Sequence, residues 1–271
     1  MLDLTIIGAG PAGFSAAIHA KRFNIKFKIV DKGAPGGQIR SAYRIDNYPG
    51  MKSISGKELS QSFISQAASL GIQVEKYLVK KISNQEDHVK VETDKEPLIS
   101  KAVIFAIGLE PIRVSTEISE KFGQIYYYPV ADEIDHSNKS VLIIGGGDAA
   151  FDEALSFSHK ARNVTIAMRS DKPRAHAGLI KEAGGRKNIS ILNNMSDEKT
   201  TDVTADVVVA CIGKTQNLNL LDSTLRDTRY EIRNTVLMAG DIKHPNIRHV
   251  AAAVGDGVTA VEEYENNLKD R

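Results

Sequence analysis

A glycine-rich turn between an apolar strand and a helix occurs twice in this chain, and it restricts the fold more than any other feature. Leu4-Thr5-Ile6-Ile7 is apolar and partly β-branched, and runs straight into Gly8-Ala9-Gly10-Pro11-Ala12-Gly13. A helical pattern follows from about Ala12 to Phe23, then a strand over Phe27-Lys28-Ile29-Val30 that ends in Asp31. The same order returns with Ser140-Val141-Leu142-Ile143-Ile144, Gly145-Gly146-Gly147-Asp148-Ala149-Ala150, a helix to about His159, and Val164-Thr165-Ile166-Ala167-Met168 ending in Arg169. The first glycines stand at 8 and 145 and the strand-end residues at 31 and 169, so two homologous strand–loop–helix–strand units account for the spacing.

Each unit has the physics of a dinucleotide-binding loop. The first glycine (Gly8, Gly145) permits the turn out of the strand, and a middle glycine (Gly10, Gly147) lets a pyrophosphate approach the backbone. The third position (Gly13, Ala150) must be small so that helix and strand pack closely. The helix N-termini, opened by Pro11-Ala12 and Asp148-Ala149, supply free N–H groups and the positive end of a dipole. The residues closing the second strands separate the two sites. Asp31, beside Lys32, can accept a hydrogen bond from an adenosine ribose 2′-OH, as FAD and NAD require. Arg169, with Arg174 five positions on, suits the 2′-phosphate of NADPH, because a guanidinium binds two oxygens at once. The alternative for both arginines is a pair of solvated strand-end charges.

Composition removes several classes. Lys and Arg number 35 against 34 Asp and Glu, which leaves no basic footprint for nucleic acid and no polybasic membrane anchor. No apolar run reaches the roughly 18 residues of a membrane span. Met1 leads directly into a strand, so no signal peptide is expected and a cytoplasmic location is. The seven histidines show no ligand spacing with Cys or carboxylates, so no metal site is expected. There is one cysteine, Cys211, which excludes an intramolecular disulfide, a Cys-rich zinc site and a Cys-x-x-Cys pair.

Two such units in this order resemble the pyridine nucleotide–disulphide oxidoreductases, and within them the low-molecular-weight thioredoxin reductases. Gly36-Gly37-Gln38 and Asp46-Asn47-Tyr48-Pro49-Gly50 look like the family's G-G-Q and E-N-W-P-G segments, which wrap the flavin. Ala106-Ile107-Gly108-Leu109-Glu110-Pro111 looks like its A-T-G-x-x-P crossover, and Cys211-Ile212-Gly213 like the matching exit from the NADPH domain. Ala239-Gly240-Asp241 resembles the A-G-D whose Asp bonds the FAD ribityl chain. Arg248-His249-Val250 occupies the R-Q-A position beside the isoalloxazine, ahead of a helix opening near Gly255-Asp256-Gly257. The resemblance implies an α/β fold of two Rossmann-like domains, the second inserted into the first. An FAD-binding domain over 1–111 and 214–271 would enclose a shortened NAD(P)H-binding domain over 112–213. It also implies a possible homodimer.

The chain departs from the family at its redox centre. Counting back from Gly145, the family's C-A-T-C-D falls on Tyr128-Pro129-Val130-Ala131-Asp132, so both cysteines are replaced while the acid remains. Bacillithiol-disulfide reductases carry a cysteine inside the first glycine loop, where this chain has Ala12. The family's H-R-R-D-x-F-R-A becomes Met168-Arg169-Ser170-Asp171-Lys172-Pro173-Arg174-Ala175, with Ser170 in place of the second arginine. Gly8 to Gly108 spans 100 positions and Gly145 to Gly213 only 68, so the family's hairpin in the second domain is largely missing.

The expected chemistry is therefore that of a flavoprotein without a dithiol. Electrons would pass between NADPH and a ferredoxin, flavodoxin or quinone, as in the thioredoxin-reductase-type ferredoxin–NADP reductases, whose G-G-Q-L-x-A-L-Y resembles Gly37-Gln38-Ile39-Arg40-Ser41-Ala42-Tyr43. Tyr43 and Tyr128 are either aromatic faces over the flavin or packed rings with bonded hydroxyls. Asp132 is either a proton donor or a cap, and His249 would place a charge beside the flavin that stabilises its reduced form. Cys211, in the apolar run Val207–Ile212, reads as structural. A flavin-binding subunit or sensor with a decayed NADPH site is the rival reading. A disulfide reductase borrowing a thiol from another chain ranks last.

Overall fold

The computed structural model describes residues 1–33, 35–42, 44–127, 134–226 and 235–269. The chain divides into two compact units, one of residues 1–40, 46–110 and 216–271 and one of residues 41–45 and 111–215.

The first unit begins with β1 (Leu2–Ile7), α1 (Pro11–Arg22) and β2 (Phe27–Asp31), followed by α2 (Gly56–Ser69), β3 (Val74–Lys76), β4 (Val79–Asn84), β5 (Val89–Thr93) and β6 (Leu98–Phe105). In the sheet order β3-β2-β1-β6-β5-β4, the pairs β3–β2, β2–β1 and β1–β6 are parallel, while β6–β5 and β5–β4 are antiparallel. Ile7, Val30, Val103 and Phe105 share one core cluster on this sheet. Ser55 and Glu58 form a reciprocal capping box that fixes the start of α2.

The second unit follows β7 (Glu110–Pro111) with α3 (Thr116–Phe122), β8 (Ser140–Ile144), α4 (Asp148–Ser158), β9 (Asn163–Ala167), α5 (Ala177–Gly184), β10 (Ile189–Leu192), α6 (Asp197–Thr201) and β11 (Val207–Ala210). Its sheet, β10-β9-β8-β11, is parallel throughout. The run Val141-Leu142-Ile143-Ile144 is apolar at every position because both faces are covered. Val141 and Ile143 pack with Phe151, Leu155 and Phe157 of α4, while Leu142 and Ile144 pack with Ile118 of α3.

The chain then passes through β12 (Lys214–Thr215), which pairs with β7, and α7 (Ser223–Arg226). It adds β13 (Val236–Met238) parallel to β6 and ends in α8 (Val250–Lys269). The C-terminal helix starts earlier than the glycines at 255 and 257 suggested, and both lie within it. Their role is contact, since a Cβ at Gly257 would sit 2.3 Å from the Ala12 carbonyl oxygen of α1. Ser15 Oγ donates to the Val254 carbonyl at 2.7 Å, and His19 meets Glu262 at 2.9 Å, along the same helix pair. Among the described residues, no helix is long and apolar enough to cross a membrane.

Candidate functional site

The first glycine loop is held by steric necessity and by one carboxylate. Gly8 turns out of β1 at φ +104°, and a Cβ there would come 2.3 Å from the Ala106 carbonyl oxygen. A Cβ at Gly13 would lie 1.8 Å from the Gly8 carbonyl oxygen, so the third position admits no side chain. Gly10 is the N-cap of α1, Pro11 stands in the first helical turn, and that turn carries no acidic residue.

Asp31 does more than its place at the strand end suggested. One carboxylate oxygen accepts the Ala9 N–H at 2.7 Å and the other the Gly33 N–H at 2.8 Å, so it ties the loop to the end of β2. An ionised carboxylate has about four acceptor sites, so room remains for a further hydroxyl donor. Lys32 faces Glu110 at 3.7 Å.

The G-G-Q segment crosses this loop. Gly36 N–H donates to the Ala9 carbonyl at 2.8 Å, and a Cβ on Gly37 would lie 2.8 Å from Gly10 Cα. Gln38 Nε2 donates to the Leu109 carbonyl at 2.7 Å and lies against Gly108. Gly240, before Asp241, would bring a Cβ within 3.0 Å of the Ala12 Cβ. Thus Gly8 to Gly13, Asp31, Gly37, Gln38, Gly108 and the Asp241 turn form one cluster. Asn47 and His249 meet at 3.3 Å just ahead of Val250, the first residue of α8.

The second loop repeats the steric rule. Gly145 has φ +144°, and its Cβ would lie 2.3 Å from the Cys211 carbonyl oxygen. Ala150 is fully buried with its methyl group in place, and Gly147 faces open space. Arg174 N–H donates to the Gly146 carbonyl at 2.7 Å, and Met168, just before Arg169, packs on Gly146. Both arginine side chains are exposed beside the loop, while Ser170 Oγ turns back to the Lys172 carbonyl at 2.8 Å. Gly213 follows β11 at φ +120°.

The electrostatics of this loop were not legible from its glycines. Asp148 opens α4, and its carboxylate accepts the His176 N–H at 2.7 Å, linking α4 to the N-cap of α5. Asp152, one turn on, is pushed up to about 6, first by burial and then by Asp148, with Arg44 opposing. Arg44 pairs with Glu182 at 3.3 Å. The Cys211 thiol is pushed far above its ordinary value, first by burial and then by Glu153, so it is held as a neutral thiol. Tyr43, Tyr128 and Asp132 lie outside the described residues.

Against known proteins, a family model described as pyridine nucleotide-disulphide oxidoreductase matches residues 2–257. The "34.2 kDa protein in rubredoxin operon" of Clostridium pasteurianum is 30% identical over 96% of this chain and 94% of that protein. The thioredoxin reductase of Bacillus subtilis is 27% identical over 99% of this chain and 95% of its own. The crystal structure of Lactococcus lactis thioredoxin reductase, 27% identical, superposes with a TM-score of 0.85 over the whole of both chains.

Proposed function

Because this chain belongs to the pyridine nucleotide-disulphide oxidoreductase family, we propose that it is an FAD-dependent oxidoreductase that moves electrons between NADPH and an acceptor other than a thiol. The observation that carries the second half is the single cysteine. Dithiol relay needs one thiolate to attack and a second thiol to resolve the mixed disulfide. Cys211 has no second cysteine in the chain, and its thiol is held neutral by burial.

The residues of the first unit fit FAD. Gly8 and Gly13 let the loop fold tightly on backbone carbonyls, and Gly10 and Gly37 face each other without side chains, at a helix N-terminus free of acidic residues. When bound, FAD supplies the redox chemistry, taking a hydride and releasing electrons singly. This chain's residues would bind and orient. The Gly10–Gly13 turn would receive the pyrophosphate, Asp31 a ribose hydroxyl and Asp241 the ribityl chain. Asn47, His249 and Val250 would border the ring. In the second unit Gly145, Gly147, Ala149 and Ala150 would receive the NADPH pyrophosphate, with Arg169 and Arg174 taking the 2′-phosphate.

A small redox protein such as a ferredoxin or flavodoxin is the proposed acceptor. The Clostridium relative, whose name places it in a rubredoxin operon, points toward that class. Anaerobic stopped-flow tests the reading. Excess NADPH bleaches the visible flavin band, and adding oxidised acceptor protein restores it. Failure of both NADPH and NADH to bleach the bound flavin overturns the donor assignment.

A second reading has its own support. Asp148 already places negative charge at the N-terminus of α4, and Ser170 supplies no cation. A flavin-binding subunit or sensor with a decayed NADPH site would keep a yellow, unbleached flavin in the same experiment and show no turnover as an isolated chain.

A further inference from the structure

Asp256 is a carboxylate beside the Asp241 turn to which the reading above gives no task, and its surroundings are closely determined. It stands between Gly255 and Gly257 on α8, where that helix comes so close to α1 that a Cβ at Gly257 would overlap the Ala12 carbonyl. Its side chain is 15% exposed. One carboxylate oxygen accepts the Gly240 N–H at 3.0 Å, and the other lies 3.5 Å from His244 Nε2.

Gly240 opens the single 3₁₀ turn Gly240–Ile242 that presents Asp241. The turn is fastened at several atoms. The Gly240 carbonyl accepts the Lys243 and His244 N–H groups at 2.8 and 3.1 Å. The Ile242 carbonyl accepts from Gln216 Nε2 at 2.6 Å. Gly240 has φ +78°, and a Cβ on it would lie 3.0 Å from the Ala12 Cβ and 3.7 Å from the Ala253 Cβ, so the turn packs closely on α1 and α8.

We propose that Asp256 is the positioning residue for Asp241, acting through the Gly240 N–H to hold the ribityl-binding turn against the first glycine loop. The proposal rests on the flavin reading. It makes the two halves of FAD separable. The ADP half is received by the Gly8–Gly13 loop and Asp31, whereas Asp256 bonds to Gly240 and faces His244. The ribityl and ring half depends on the turn that Asp256 holds.

The test titrates apoprotein with FAD and, separately, with ADP, for the wild type, Asp256→Ala and Asp256→Asn. A hydrogen bond to a charged group is worth enough that Asp256→Ala should weaken FAD by about tenfold. ADP affinity should stay within about twofold. Asp256→Asn keeps a carbonyl oxygen facing the Gly240 N–H and should recover most of the FAD affinity.

Equal weakening of FAD and ADP would mean that the carboxylate merely stabilises the unit, and would overturn the proposal. Unchanged FAD affinity in Asp256→Ala would overturn it as well, as would failure of Asp256→Asn to recover binding. Wild-type apoprotein that binds ADP but no FAD would instead sink the flavin reading itself.

Discussion

Gly8 and Gly145 leave their strands under the same constraint: in each, a Cβ would lie 2.3 Å from the carbonyl oxygen of the residue that follows the adjacent parallel strand, Ala106 after β6 in one unit and Cys211 after β11 in the other. Past that point the two loops diverge. The first excludes every side chain at its third position, is crossed by a second glycine segment at Gly36-Gly37, and is laced to its neighbouring strand by Asp31. The second accommodates Ala150, leaves Gly147 facing open space, and has exposed arginines where the first has a bonded aspartate. A loop laced on all sides suits a ligand that stays; an open loop suits one that comes and goes. This difference supports the proposal that the first unit holds FAD and the second exchanges NADPH.

Substitutions can break that comparison at points of decreasing leverage. Gly13→Ala should be the most damaging, because a methyl group 1.8 Å from a backbone oxygen forces the loop apart. We expect a loss of about 3 kcal/mol or more and no flavin after purification, read by thermal denaturation and absorbance. Its counterpart Ala150→Gly should cost only about 1 kcal/mol and leave flavin content unchanged. Next, Asp31→Ala removes a charge-assisted bond to the loop at Ala9 and another to Gly33, and should weaken FAD by about 100-fold in a fluorescence titration. Arg169→Ala should raise KM for NADPH about tenfold, leave KM for NADH unmoved and spare flavin content. An equal effect on both nucleotides would remove the 2′-phosphate role.

Two smaller effects probe the second unit. Asp152 is raised from 3.8 to about 6 on folding, so its ionised form is disfavoured in the native state. Its contribution favours folding below about pH 4 and is lost as pH rises through about 6. Asp152→Asn should flatten that dependence and stabilise the protein at neutral pH by about 1–3 kcal/mol, measured by denaturant titration across pH. Cys211→Ala should change least, by about 1 kcal/mol in stability and not at all in electron transfer. Loss of activity in that variant would revive a thiol mechanism.

The parts of the fold set by strand and helix periodicity, and by glycine at unavoidable close contacts, could be read from the chain. Leu142 and Ile143 face opposite layers because neighbouring side chains alternate along a strand, and the unbroken apolar run requires both layers to be covered, while Gly8 and Gly145 mark their turns. What could not be read was which partner each polar group would choose. Asp31 was identified by its position at a strand end, yet its bonds to Ala9 and Gly33 depend on how the loop folds back. The family resemblance puts a helix opening near Gly255 and Gly257, downstream of its actual start at Val250. Only the packing of α8 on α1 shows that they are places of contact inside a helix. Asp256 and the Asp148–His176 link were invisible for the same reason: each joins residues distant in sequence.

The pairing of α1 with α8 also bears on synthesis. Residues 111–215 form their unit without waiting for anything downstream, whereas Ser15 finds its partner Val254 only 239 positions later. At ribosomal rates of about 5–20 residues per second, the first glycine loop therefore waits roughly 12–48 seconds before the helix that packs on it has been made. During that interval the second unit can fold, and β1 already has its partners β2 and β6, while α1 still lacks the helix that packs on it.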